Sequence, residues 1–115
     1  MARISGFVLA TSILGCLAAP IANAEVLTLG AGTESCATWQ ANEASLDQGN
    51  NWIEGYWTGL NEGADQTTGK KTDAAGILGA VALLCQSNPT KTIIDAATSV
   101  WSDMSLTDQG IAIPQ

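Results

Sequence analysis

The sequence predicts an all-α fold: a small four-helix bundle-like domain with one disulfide, preceded by a signal peptide. Three observations carry this. Apolar residues recur at helical spacing in separate segments, opened by Ser, Thr, Asp or Asn residues of the type that caps helices. Two cysteines, Cys36 and Cys85, remain once the leader is removed. The whole chain is 115 residues, the size of one domain.

Residues 1–24 read as a secretory signal. Arg3 supplies the positive start, Phe7 to Ala18 the apolar run, and Pro20 ends that run. Ala22-Asn23-Ala24 is a small-x-small cleavage site that leaves Glu25 first. A membrane span needs about 20 apolar residues, and this run is shorter. Ile13-Leu14-Gly15-Cys16 offers a competing lipobox. Processing there would place a lipid on Cys16 and tie the protein to a membrane. Either route implies bacterial export, to the periplasm or beyond.

The 91 residues after the leader carry Lys70, Lys71 and Lys91 against eleven acids, a net charge of −8. That balance argues against nucleic acid and anionic membrane surfaces as partners. No histidine is present, so imidazole bases and ligands are excluded. In an exported chain, two remaining cysteines read as a disulfide, and Cys36–Cys85 is the one intramolecular pairing they allow.

Residues 25–32 form a lead-in. Val26-Leu27-Thr28-Leu29 is extended or an edge strand, ended by Gly30 and Gly32. The helical domain spans 33–104. Thr33 or Ser35 caps a first helix carrying Cys36, Trp39 and Glu43. Asp47-Gln48-Gly49-Asn50 signals a turn. A second helix runs from Asn51 to Glu62, with Trp52, Ile53, Tyr56, Trp57 and Leu60 on one wide face. Gly55, Gly59 and Gly63 repeat along its edge and predict close packing, with a self-association or ligand groove as the alternative. Residues 64–72 form a surface loop. Asp73 caps a third helix, Ala74 to Gln86, whose glycines and alanines predict a central position. Its buried face is Ile77, Leu78, Val81, Leu84 and Cys85. Asn88 and Pro89 open a fourth helix with an apolar stripe of Ile93, Ile94, Ala97, Val100, Trp101 and Met104. Residues 105–115 are predicted to be a flexible tail.

Motifs for chemistry fail on spacing. Gly69-Lys70-Lys71-Thr72 has five residues back to Gly63 where a phosphate loop has four, and a second lysine precedes the threonine. Asp47-x-Gly49-x-Asn51 and Asp65-x-Thr67 lack the calcium-loop pattern. Zinc would need a His/Cys cluster. Glu54, Glu62 and Asp65 are the nearest approach to a carboxylate pair, and Glu54 lies off the apolar face. No catalytic residue, cofactor or metal site is assigned, and no enzyme activity is expected. The candidate binding face is Trp52, Tyr56 and Trp57.

Ser35-Cys36-Ala37-Thr38-Trp39, and Cys85-Gln86-Ser87-Asn88-Pro89 leading into a helix with Trp101, carry a likeness. With the glycine-aromatic segment Trp52 to Asn61, the chain resembles the HdeA/HdeB family of small periplasmic acid-stress chaperones over residues 33–104. The resemblance implies an all-α fold with the Cys36–Cys85 disulfide. It also implies ATP-independent capture of unfolding client proteins at low pH, and a homodimer that loosens in acid. Carboxylates titrate near pH 4, so below about pH 3 a charge of −8 becomes roughly +4. Gly55-Tyr56-Trp57 followed by a later cysteine is also similar to the disulfide-bonded immunity proteins of type VI secretion systems. That likeness implies a different role, a module binding one protein partner.

Overall fold

The computed structural model describes Gly15 and residues 26–113. The predicted signal peptide, its cleavage site and the Cys16 lipobox lie outside the described residues, apart from Gly15. Among the described residues no helix is long and apolar enough to cross a membrane.

The fold is all-α. A 3-10 turn, Gly30–Thr33, leads into four α-helices: α1 (Cys36–Trp39), α2 (Glu43–Ala64), α3 (Ala74–Ser87) and α4 (Ile93–Asp108). Each helix start is capped by a side chain accepting a backbone N–H: Ser35 from Thr38, Asn42 from Ser45, Asp73 from Gly76 and Thr92 from Asp95. Each such cap is worth about 1 kcal/mol. The core is Cys36, Trp39, Ile53, Trp57, Val81, Cys85, Ile93, Ala96 and Ala97. The Cys36–Cys85 disulfide lies within it, joining α1 to α3 with Cα atoms 5.2 Å apart.

Three boundaries differ from the sequence expectation. Helix α1 is a single turn, and α2 starts at Glu43 and runs straight through Asp47-Gln48-Gly49-Asn50, where a turn was predicted. Turn-forming residue types serve packing there. Gly49 is buried because a Cβ on it would collide with Trp39 Cδ1. Asn50 Oδ1 accepts a hydrogen bond from the Trp39 indole at 3.2 Å.

The second boundary is the start of α4, at Ile93 and not at Pro89. Residues 89–93 instead lie antiparallel to residues 34–37. Cys36 N–H donates to Lys91 C=O, Ala37 N–H to Pro89 C=O, and Ile93 N–H to Glu34 C=O. Those backbone bonds occupy the groups that an earlier helix start would need.

The third is the predicted tail from Ser105. Helix α4 continues to Asp108 because Ser105 is buried and its hydroxyl donates to Gln66 Oε1. Gly110, with φ 75°, then closes the helix: Ile111 N–H reaches Leu106 C=O and Gly110 N–H reaches Thr107 C=O.

Helix α2 ends in the same pattern, but the left-handed position holds Asp65 (φ 51°). Gln66 N–H donates to Asn61 C=O and Asp65 N–H to Glu62 C=O. An aspartate is penalised there twice, by its Cβ and by its charge beside the helix C-terminus. Asp65→Gly is expected to raise stability by about 1 kcal/mol and Tm by about 4–8 °C. Thermal unfolding of the oxidised protein checks this; a lower Tm would refute it.

Helix α3 is not central. Val81 and Cys85 are buried, but Leu83 is 67% exposed and Gly79 has open space above it. One turn of α1 is too short to cover its outer side. The close packing predicted for Gly55, Gly59 and Gly63 is also absent among the described residues. A Cβ on any of the three would meet nothing within 4 Å. They lie opposite Ile53 and Trp57, because two residues along a helix turn the side chain by about 200°.

Candidate functional site

A groove on the described surface is walled mainly by apolar groups. Its base is the α2 turn holding Asn51, Trp52, Gly55 and Tyr56; its walls are residues 26–29 and Ile94 of α4. The volume is about 540 Å³.

Each part is held by a specific contact. The Trp52 and Tyr56 rings stack, with centroids 4.8 Å apart and planes 24° from parallel. Such a pair adds about 0.5–1.5 kcal/mol beyond burial. The Trp52 indole donates to Leu29 C=O at 2.7 Å, which pins the lead-in to α2. Gly32 makes room for that ring, since a Cβ there would collide with Trp52 Cζ2. Thr98 Oγ1 donates to Ile94 C=O and lies 2.7 Å from the Tyr56 hydroxyl. A hydroxyl has one hydrogen, so Tyr56 is the donor in that pair. Its phenol proton is committed to anchoring the ring.

The segment before Gly30 is the most exposed apolar part of the described chain. Val26, Leu27 and Leu29 are 83%, 80% and 71% exposed. Surfaces of this kind, contiguous and rimmed by polar residues, mark interaction sites. The sequence identified this stretch as an extended lead-in. That it forms one wall of a groove follows from the Trp52–Leu29 bond, which no local pattern announces.

The candidate face of Trp52, Tyr56 and Trp57 therefore divides. Trp52 and Tyr56 are half-buried and line the groove. Trp57 is 4% exposed and belongs to the core, its indole donating to Thr68 C=O at 2.9 Å. Gly55 joins the base of the groove, whereas Gly59 and Gly63 continue along the open face of α2.

A polar hub lies at the other end of α2. Asn61 Oδ1 accepts from the Trp101 indole at 2.8 Å and from Thr68 N–H at 3.2 Å; Asn61 Nδ2 donates to Thr68 C=O. Gln66 Oε1 accepts from the hydroxyls of Thr68 and Ser105. Among the described residues no buried side-chain polar atom lacks a partner. The hub fastens residues 65–73 across α2 and α4. It also explains why Gly69-Lys70-Lys71-Thr72 is no phosphate cradle: Gly69 N–H is given to the Asp108 carboxylate at 2.9 Å. Glu54, Glu62 and Asp65 are all exposed. No group of three His, Cys, Asp or Glu positioned to hold a metal occurs among the described residues.

Comparison with known proteins finds no family model, no curated protein and no solved structure that matches this chain.

Proposed function

We propose that this is a small exported protein that works by holding apolar segments of other proteins, in the manner of an acid-stress chaperone. The observation that carries the reading is the open Trp52–Tyr56 groove flanked by Val26, Leu27 and Leu29. It lies on an otherwise acidic chain whose core is closed by its own disulfide. A folded chain with its core complete has no internal use for three exposed aliphatics beside an aromatic pair. The charge reversal from −8 to roughly +4 in acid supplies a means of switching the surface. Holding a client needs no nucleotide and no catalytic group.

The test uses the oxidised mature protein and an acid-labile client, mixed at pH 7 and shifted to pH 2, with light scattering followed over time. The client is expected to stay dispersed below pH 3 at near-stoichiometric protein and to aggregate in its absence. Equal aggregation with and without the protein would overturn the reading.

A second reading is a module that binds one protein partner at neutral pH, as an immunity protein or stoichiometric inhibitor does. The observation favouring it is that the groove is already open in the folded chain, so no unfolding is required. It calls for tight, saturable binding at pH 7 to a single co-purifying protein, and for no client protection in acid.

A further inference from the structure

We infer that Lys70-Lys71 is a proteolytic processing site for an endoprotease that cuts after lysine, and that the cut chain remains one folded, two-chain molecule. The inference is independent of the groove and of the acid-chaperone reading.

The scarcity of basic residues makes the site specific. Among the described residues there are three lysines and no arginine. Lys70 and Lys71 are exposed, on the segment between α2 and α3. They form the tip of a β-turn, in which Thr72 N–H donates to Gly69 C=O at 3.0 Å. Two ammonium groups at a loop tip suit an endoprotease with a carboxylate at the base of its specificity pocket. Lys91 is closed to the same enzyme. It is half-buried, its N–H donates to Asn88 C=O, and its C=O accepts from Cys36 N–H.

A substrate enters a protease cleft extended, so the turn has to open first. Besides the turn bond, Lys70 N–H donates to Thr67 C=O at 3.1 Å, and Gly69 N–H donates to the Asp108 carboxylate at 2.9 Å. The Asp108 bond comes from another element, α4, and acts as the latch on the site. Residues 69–72 can loosen while both sides stay anchored. Upstream, Thr68 is clamped by Asn61 and Trp57; downstream, Asp73 accepts from Gly76 N–H.

Water completes the cut. At Lys71–Thr72 the C–N bond breaks and the carbonyl carbon takes the water oxygen. Both water hydrogens pass to the nitrogen, leaving a carboxylate and an ammonium group.

The pieces stay together because the cut falls inside the loop closed by the disulfide. Cys36 is on one piece and Cys85 on the other. The backbone bonds between residues 34–37 and 89–93 also join the two pieces, as do Trp101 to Asn61 and Ser105 to Gln66. None of residues 69–72 belongs to the hydrophobic core.

The test treats the oxidised protein at pH 7 with an endoprotease specific for lysine and weighs the products by mass spectrometry. Cutting after Lys70 or Lys71 is expected at least about tenfold faster than after Lys91. Without reductant the product is expected as one species, heavier by one water, or lacking Lys71 where both bonds are cut. With reductant it separates into two. Its near-UV circular dichroism is expected to match that of the intact chain. Asp108→Ala is expected to raise the cutting rate at least about threefold. The double change Lys70→Gln with Lys71→Gln is expected to leave the chain whole over the same time.

Cutting first at Lys91 overturns the inference. So does an oxidised chain that resists the enzyme when the reduced, unfolded chain is cut freely. A nicked product that loses its near-UV signal, or falls to small peptides while still oxidised, overturns the two-chain molecule. An Asp108→Ala chain cut no faster than wild type overturns the latch.

Discussion

Removing the Cys36–Cys85 crosslink is expected to cost about 4 kcal/mol, a large share of this chain's stability. The two residues are 49 apart in sequence, and closing a loop of that length restricts the unfolded chain by about that amount. A domain of this size has roughly 5–14 kcal/mol in total. Both cysteines are fully buried, so serine would add two hydroxyls to an apolar core. The double change Cys36→Ala with Cys85→Ala isolates the crosslink better. Urea unfolding with and without reductant checks the figure. Wild-type protein in reductant and the double-alanine variant are expected to share a midpoint far below that of the oxidised protein. A shift worth less than about 1 kcal/mol would show that the folded helices need no crosslink.

Gly49→Ala is expected to destabilise by about 2–3 kcal/mol, although alanine is the better helix former by about 1 kcal/mol. The added methyl would occupy the space of Trp39, which is 2% exposed and bonded through its indole to Leu46 C=O and Asn50 Oδ1. The ring must leave its place or α2 must shift. Gly59→Ala, ten residues along the same helix, meets open space and is expected to stabilise by about 1 kcal/mol. The opposite signs are the test. Denaturation midpoints for the two variants give them directly, and near-UV circular dichroism reports whether Trp39 has moved. If both variants were stabilised, the packing of Trp39 on Gly49 would be refuted.

These two glycines also show where the sequence was legible. Propensity and periodicity located α3 to within a residue, because its caps and apolar spacing act locally. The disulfide followed from counting cysteines. At Asp47 to Asn50 the same reasoning failed. Turn-forming residue types were present for a non-local reason, the indole of Trp39 packing from another helix. Ser105 likewise looked like the start of a tail, yet it is buried and its hydroxyl has a partner thirty-nine residues earlier, at Gln66. The candidate site was half readable. Trp52 and Tyr56 stand out by type and spacing, but Trp57 shares that pattern and is core. Which aromatics remain accessible is decided by what the loop at Thr68 and the lead-in at Leu29 cover.

All four tryptophans donate their indole hydrogen to oxygen, and each bond crosses a different joint. Trp39 bridges α1 to α2, Trp52 ties the lead-in, Trp57 holds the loop, and Trp101 reaches from α4 to Asn61. The chain thus carries its own set of gauges. In a nitrogen-15 spectrum the four indole signals fall apart from the crowded amides, one signal per joint. As acid or denaturant is added, the order in which these hydrogens begin to exchange with solvent would give the sequence in which the joints open. Uniform nitrogen-15 enrichment suffices to read it, with no dye or substitution.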